Sequence, residues 1–246
     1  MNFFYYLKNF FRNLINKFLE FFDLKIARIN PKIIEQSKIE KEIIKISRKY
    51  SVTSEYSMHA LVQAIKYSKN MNLKGSFVEC GVWKGGNIIL FQKINLMYNL
   101  KKEIFGYDTF EGMSEPSKFD INLDGVSASY KNIGTAAISK KEVINNIRRE
   151  TKFINIKLIE GKVEDTLLLE RNLPKKISIL RLDTDWYSST KIELEILYKR
   201  LEKNGVLFID DYGVWGGSKK AVDEFFKKKD IWLHVLDNGC RYMIKY

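Results

Sequence analysis

Two pairs of aspartates, each placed directly after a short apolar run, are the residues of this chain best suited to chemistry. Asp183 and Asp185 follow one such run, and Asp210 and Asp211 follow another. Apolar runs of this length are typical of buried strands in a parallel sheet, and open α/β sheets bind ligands at the carboxyl ends of their strands. Carboxylates gathered there repel one another unless a cation lies among them, which favours a hard divalent cation with oxygen ligands. The alternative is that each aspartate caps the helix that follows it.

The composition indicates one well-buried domain with a small appendage. The chain has 246 residues, of which 45% are hydrophobic, and this length permits a sizeable core. Its two cysteines, Cys80 and Cys240, are too few for a disulfide framework and lack the spacing of metal ligands. No apolar stretch is long enough to span a bilayer, and the beginning of the chain does not resemble a secretory signal. We therefore expect a cytoplasmic protein.

The formal net charge of +12 suggests an anionic partner. The lysines are scattered through every segment, and no nucleic-acid-binding motif accompanies them. We therefore expect no nucleic-acid partner. Attraction to anionic lipids or to phosphorylated substrates is the favoured interpretation of the charge.

Residues 1–30 are predicted to form a separate amphipathic helix. Aromatic residues recur there at helical spacing and are interrupted by lysines and arginines. Such a helix suits the membrane interface, where its cations meet anionic lipid, and it predicts peripheral contact with the inner face of the membrane through residues 1–28. The alternative is that the helix packs on the domain or on a second subunit of a homo-oligomer, because periodicity does not distinguish lipid from protein.

The rest of the chain is predicted to contain a helical cap over residues 31–72 and an α/β domain over residues 73–246. Helices are expected over Lys32–Lys49 and Ser54–Asn70 in the cap. In the domain, strands alternate with helices, which predicts a doubly wound, mostly parallel sheet of seven strands whose last two pair as an antiparallel hairpin. The predicted strands are Gly75–Cys80, Glu103–Asp108, Ile154–Glu160, Ile177–Asp183, Val206–Asp211, Ile231–Leu236 and Arg241–Lys245.

The junction after the first predicted strand contains Glu79, Gly81 and Gly85 in the pattern E-x-G-x-x-x-G-G. Glycines there allow a cofactor to approach the backbone, and the N-terminus of the next helix favours an anionic group. The spacing is not the dinucleotide fingerprint, and Glu79 suits a cation such as the ammonium of an amino acid. Asp108, at the end of the second strand, is placed to accept bonds from ribose hydroxyls. Gly161, after the third strand, either borders an adenine or is an ordinary turn glycine. In this order, these residues predict a site for S-adenosylmethionine.

Four blocks of the chain resemble the class I S-adenosylmethionine-dependent methyltransferases, and within them the macrocin O-methyltransferase-like family of sugar methylases. The blocks are Phe77–Gly86, Tyr107–Gly112, Leu180–Thr190 and Gly205–Gly213. The last two are the more specific, because they combine paired acids with a Tyr-x-x-Thr spacing. The resemblance covers about Thr53 to Tyr246 and does not include residues 1–50. It implies a Rossmann-like fold and an O-methyltransferase activity.

The resemblance also implies roles for the aspartates and for the residues of the first two strands. Asp183, Asp210 and Asp211 look like ligands of a magnesium ion, and Glu79, Gly81 and Asp108 look like cofactor-binding residues. The relative catechol O-methyltransferase has a similar metal triad with a lysine base shortly after its first aspartate. No lysine occupies that neighbourhood here, and Asp185 is the nearest replacement.

The expected reaction is methyl transfer from a sulfonium to a hydroxyl of a sugar or of a glycosylated small molecule. A sugar hydroxyl is protonated at neutral pH, so magnesium bound to a vicinal diol would acidify the attacking hydroxyl and orient it. Asp185 would accept the proton as general base, beside the metal ligand Asp183. Segment 109–139 is expected to help form the acceptor pocket. Two alternatives remain: a non-catalytic membrane-associated module, and a metal-dependent hydrolase that uses the aspartate pairs without a methyl donor.

Overall fold

The computed structural model describes residues 3–19, 33, 35–122, 125–128 and 133–246. The chain divides into two compact units, Met1–Glu35 and Gln36–Tyr246. The first unit is described through helix α1, Phe3–Leu19; the predicted continuation to residue 28 lies outside the described residues. Within the described part of the chain, no helix is long and apolar enough to cross a membrane.

The second unit alternates strands and helices in the order that the sequence pattern predicts. Its helices are α2 (Lys38–Ser47), α3 (Glu55–Asn70), α4 (Gly86–Met97), α5 (Lys140–Glu150), α6 (Val163–Thr166), α7 (Tyr187–Arg200) and α8 (Gly216–Phe226). Its strands are β1 (Ser76–Cys80), β2 (Ile104–Asp108), β3 (Ile156–Glu160), β4 (Ile177–Leu182), β5 (Leu201–Ile209), β6 (His234–Val235) and β7 (Arg241–Ile244).

Helix α2 begins later than its sequence pattern predicts, at Lys38 instead of Lys32. The Ser37 hydroxyl accepts a hydrogen bond from the Glu40 backbone N–H, and the Glu40 carboxylate accepts one from the Ser37 backbone N–H. This capping box satisfies two backbone donors that a helix start leaves without partners. The local side-chain chemistry therefore sets the start of the helix.

The strands of the second unit form one sheet, which among the described residues has the order β3-β2-β1-β4-β5-β7-β6. Strands β1 to β5 are parallel, whereas β7 runs antiparallel to β5 and pairs with β6 as a hairpin. The predicted doubly wound, mostly parallel sheet is confirmed. The chain leaves β1 in one direction along the sheet and returns to its other side at β4. A crevice at the carboxyl ends of β1 and β4 is therefore expected to bind ligands.

Helices cover both faces of this sheet. Helices α2 to α5 contribute residues such as Leu61 and Phe91 to the core on one face, and α6 to α8 contribute Leu194 and Val222 to the other. Helices α2 and α3 of the predicted cap thus share a hydrophobic core with the sheet. Side chains of a strand alternate between the two faces, so every second residue of β1 and β4 points towards the side of α2, α3 and α4.

Candidate active site

A cavity of about 420 Å³ opens at the carboxyl ends of the parallel strands, within the size range of small-molecule sites. Five successive strand ends line it through Gly81, Asp108, Gly161, Asp183 and Asp210. These residues are far apart in the sequence, but the carboxyl ends of parallel strands meet at one edge of the sheet. The fold therefore brings five of the predicted site residues together at the point where the strand order reverses.

The glycines at this edge have backbones that a side chain would disturb. Gly81 has φ +85°, and a Cβ there would lie 1.8 Å from the carbonyl oxygen of Asp183. Gly161 has φ +127°, a conformation that favours glycine. Gly85 has φ +92° and precedes α4, and it is not among the described residues that line the cavity. Cofactor contacts of all three glycines stay predictions.

Asp108 lines the cavity and also organises the loop beside it. Its Oδ2 accepts hydrogen bonds from the backbone N–H groups of Val82 (2.7 Å) and Trp83 (2.8 Å), and its Oδ1 accepts one from Phe110 (2.7 Å). An ionised carboxylate offers about four acceptor positions, so the backbone leaves one for a ligand. The predicted bond to a ribose hydroxyl stays a prediction.

Glu79 does not line the cavity, although the sequence predicts a ligand contact for it. It lies opposite Arg181 in the register of β1 and β4, and its side chain is 1% exposed. Its Oε1 accepts hydrogen bonds from Arg181 Nη1 (3.0 Å) and Asn87 Nδ2 (2.8 Å). Burial raises the pKa of Glu79 to about 8, against the opposing effects of Arg181 and Asn87. Direct contact with a cofactor ammonium stays a prediction, and in this structure Arg181 and Asn87 engage the carboxylate instead.

Asp183, Asp210 and Asp211 form a cluster of carboxylates at the other end of the cavity. Each offers an oxygen atom, and these atoms all lie within 4.8 Å of one another. A donor set of three carboxylate oxygens fits a hard cation such as Mg²⁺. The alternative interpretation, in which the aspartates cap the following helices, is wrong. Trp186 precedes α7 and Trp215 precedes α8, without a side-chain cap in either case.

Asp185 lies beside this cluster and lines the cavity. Its φ of +66° is unusual for a residue with a side chain. Its backbone N–H donates to Asp211 Oδ2, and its Oδ1 accepts a hydrogen bond from Trp215 Nε1, both at 2.9 Å. Burial, together with the neighbouring charge of Asp183, raises the pKa of Asp185 to about 7. Its protonation can therefore change near neutral pH.

The sequence analysis missed Arg181, which lies among the acids. Its guanidinium is 1% exposed and forms ion pairs with Glu79, Asp183 and Asp210. Burial opposes the charge, but these three carboxylates raise the pKa of Arg181, which therefore stays protonated. One signal in the sequence was available. Glu79 and Arg181 each stand two positions before the cavity residue at the end of their strand, so parallel pairing brings the two charges together.

Segment 109–139 contributes a wall of the cavity through Gly112, Met113, Ser114 and Ala136 among its described residues. The indole N–H of Trp186 donates to the carbonyl oxygen of Ser114 at 2.9 Å. That the segment helps form the acceptor pocket stays a prediction.

Asp120 is the buried acid that attaches this segment to the following helices. Its Oδ1 accepts a hydrogen bond from the backbone N–H of Tyr187, and its Oδ2 accepts bonds from the N–H and hydroxyl of Ser117. A Cβ at Gly217 would lie 1.8 Å from Asp120 Oδ1. Asp120 therefore packs tightly against the first residues of α7 and α8.

Comparison with known proteins assigns the family. A sequence model of the family described as "Macrocin-O-methyltransferase (TylF)" matches residues 18–245. Demethyldecarbamoylnovobiocin O-methyltransferase of Streptomyces niveus is 31% identical over 163 residues, which are 65% of this chain and 61% of the relative. A rhamnosyl-tetracenomycin-C 4'-O-methyltransferase of Streptomyces olivaceus is 30% identical over 154 residues, 61% of this chain and 58% of that relative. The alignments thus span about three-fifths of the length of these curated relatives.

Solved structures agree with the sequence comparison. The O-methyltransferase NovP is similar with a TM-score of 0.71 and 26% identity over 80% of this chain and 82% of NovP. The calicheamicin methyltransferase CalS11 has a TM-score of 0.62 at 17% identity, covering 89% of this chain and 99% of CalS11, which is a likeness of fold. The expected class I methyltransferase fold is confirmed. The chain belongs to the macrocin O-methyltransferase family.

Proposed function

We propose that the protein transfers a methyl group from S-adenosylmethionine to a hydroxyl of a sugar or of a glycosylated small molecule, assisted by Mg²⁺ at Asp183, Asp210 and Asp211. The observation that supports this proposal most strongly is that two features occur in one cavity. A glycine-lined crevice lies at the point where the strand order reverses, and a carboxylate cluster lies beside it. The names of the relatives support the reaction type, and the rhamnosyl-tetracenomycin enzyme supports a sugar hydroxyl as acceptor.

Each half of the cavity has a separate task in this reaction. The strand ends with Gly81, Asp108 and Gly161 would hold the cofactor. The carboxylate cluster would hold Mg²⁺, which when bound acts as a Lewis acid that favours an alkoxide-like acceptor oxygen. The departing thioether is neutral and needs no acid, so the chain must provide a base and not a proton donor.

Asp185 is the candidate for that base. It lines the same cavity as the carboxylate cluster, and its pKa of about 7 suits a group that accepts a proton near neutral pH. The indole of Trp215 and the backbone bond to Asp211 fix its orientation. A fixed carboxylate beside the acceptor avoids part of the entropic cost of aligning base and hydroxyl.

The proposed activity can be tested with the full-length chain and two measurements. S-adenosylhomocysteine should raise the melting temperature, and labelled S-adenosylmethionine should donate its methyl group to members of a panel of sugar nucleotides and deoxysugar glycosides. Chelator should stop turnover, and Mg²⁺ should restore it. An unchanged melting temperature, with no transfer and no hydrolysis product, would favour a non-catalytic module. Release of a hydrolysis product from the panel without cofactor binding would favour the hydrolase.

We also propose that α1 contacts an anionic membrane surface, which would put the protein at the inner face of the membrane. Large apolar side chains recur at helical spacing on it and are exposed within their unit, namely Phe10, Phe11, Leu14, Ile15 and Phe18. Over Phe3–Leu19 the helix contains two lysines, one arginine and no acid. An apolar stripe with cations and without acids is typical of helices that lie in the interface of an anionic bilayer.

Vesicle binding tests this location. The intact protein should sediment with phosphatidylglycerol vesicles, less so at high salt because ions screen its cationic contribution, and a variant that lacks residues 1–28 should remain in solution with its turnover unchanged. Replacement of Phe10, Phe11 and Phe18 by serine keeps every charge and should reduce binding as well. If the intact protein ignores vesicles and the truncation changes the oligomeric state on a sizing column, α1 is a subunit contact instead.

A further inference from the structure

Arg181 occupies the place where the two halves of the cavity meet. Its guanidinium contacts Glu79 from β1 and the acids that follow β4 and β5. Its Nη2 also donates to the Thr53 hydroxyl at 3.1 Å. Asn87 of α4 donates to the same hydroxyl and to Glu79. Side chains from both halves and from the linker between α2 and α3 therefore converge on one buried cation.

Arg181 contacts one oxygen atom of each of two acids in the carboxylate cluster. Nη1 lies 2.6 Å from Asp183 Oδ2, and Nη2 lies 2.8 Å from Asp210 Oδ1. Arg181 does not contact the second oxygen of either carboxylate. Because the guanidinium is planar and its donors are fixed relative to one another, it sets the angle between the two carboxylates. A lysine ammonium has the same charge, but it does not hold its donors in a fixed plane.

From this geometry we propose that Arg181 is a positioning residue, which holds Asp183 and Asp210 in the orientation that binds a divalent cation. The inference rests on the proposed cation site and adds the residue that shapes it. Partners behind metal ligands commonly orient those ligands, and their loss typically costs about 10- to 100-fold in metal affinity. Thr53 extends this support, because its hydroxyl accepts a hydrogen bond from Nη2, the same nitrogen that contacts Asp210.

The substitution Arg181→Lys tests the orientation separately from the charge. Mn²⁺ is the probe, and its binding to the full-length protein is measured by paramagnetic resonance without cofactor or acceptor. We expect Arg181→Lys to weaken Mn²⁺ binding by about 10- to 100-fold and to change the resonance spectrum of the bound ion. The matched control is Arg200→Lys, since Arg200 pairs with Glu170 at the surface. This control should bind Mn²⁺ like the wild-type protein.

Thr53→Val is the second variant, and it tests the positioning role of Arg181 if Arg181→Lys does not fold. It keeps every charge and the shape of the side chain, and removes the hydroxyl that accepts a hydrogen bond from the guanidinium. We expect a smaller loss in the same direction, about threefold or more. Unchanged Mn²⁺ affinity in folded Arg181→Lys, or in Thr53→Val when the first variant does not fold, would overturn the role of Arg181 alone. A wild-type protein that binds no Mn²⁺ would overturn the cation site, and this inference with it.

Discussion

The two halves of the cavity satisfy their polar groups in opposite ways. In the half formed after β1, β2 and β3, Asp108 is an acid that lines the cavity, and three backbone N–H groups donate to its oxygens. In the half formed after β4 and β5, four aspartates lie close together, and Arg181 pairs with two of them, Asp183 and Asp210, and with Glu79. Backbone donors satisfy the carboxylate of Asp108 in the first half, whereas acidic side chains outnumber basic ones in the second half.

Because of this difference, the first half is oriented without a ligand, whereas the second half depends on one. A carboxylate that accepts hydrogen bonds from backbone N–H groups is oriented before any ligand arrives. Carboxylates that face one another are instead driven towards protonation, and burial and mutual repulsion raise the pKa values of Asp185 and Asp210 to about 7, with Arg181 opposing the effect at Asp210. We therefore expect the first half to bind its ligand without metal, and the second half to require a cation for its charged form.

The largest expected effect comes from Asp210→Asn, which removes one charge of the carboxylate cluster with little change in shape. Turnover should fall by about two orders of magnitude or more, because Lewis-acid stabilisation is worth several kcal/mol. Calorimetry should give an unchanged affinity for S-adenosylhomocysteine in the absence of metal. Asp223→Asn is the control, since Asp223 pairs with Lys219 on the surface of α8. Loss of cofactor binding together with turnover would mean that the halves are not independent.

Asp108→Ala should have the next largest effect, confined to the other half. Loss of hydrogen bonds to a charged group should weaken S-adenosylhomocysteine binding by roughly 1.5–3 kcal/mol, or about 10- to 150-fold. Mn²⁺ binding should stay within threefold of the wild-type value. Unchanged cofactor affinity would contradict the assignment of Asp108 to the cofactor half.

The stability of the metal-free protein should depend on pH through Glu79. Its pKa is about 8 in the folded protein, against an ordinary value of 4.5. Between these values the folded state holds a proton that the unfolded state releases, so the free energy of unfolding falls as the pH rises, by at most about 1.4 kcal/mol per pH unit for this proton. Urea titrations in chelator from pH 5 to pH 8 should reveal this slope, and Glu79→Gln should make it shallower. An identical slope in both proteins would refute the assignment.

Asp120→Ala should have the smallest effect, on the wall of the cavity and not on either binding half. The loss leaves the Tyr187 and Ser117 N–H groups without their acceptor, which should cost about 1–3 kcal/mol of stability. Limited proteolysis should cut within residues 112–128 faster than in the wild-type protein. Cofactor and Mn²⁺ affinities should stay within threefold, and a larger loss of either would show that the wall supports the binding halves directly.

Much of the fold follows from local patterns in the sequence. The alternation of apolar runs with helical segments predicted the parallel sheet and its terminal hairpin, because period-2 and period-3.6 patterns are local properties of the chain. The same reasoning put Gly81, Asp108, Gly161, Asp183 and Asp210 at strand ends. Since parallel strands end at a common edge, their meeting in one cavity was also predictable. The start of α2 was not, although the Ser37–Glu40 capping box was present in the sequence to indicate it.

The sequence by itself therefore determined the layered fold, the family blocks and the strand ends that carry the acids. Only the tertiary structure decided that the Arg181 guanidinium lies among those acids. The strand register pairs Arg181 with Glu79 across β1 and β4. The tertiary structure also decided the distant partners of Asp108 and Asp120, which are the backbone N–H groups of Val82 and Tyr187. Register and loop packing depend on contacts between residues remote in the sequence, and these contacts determine which polar groups are satisfied within the protein and which face a ligand.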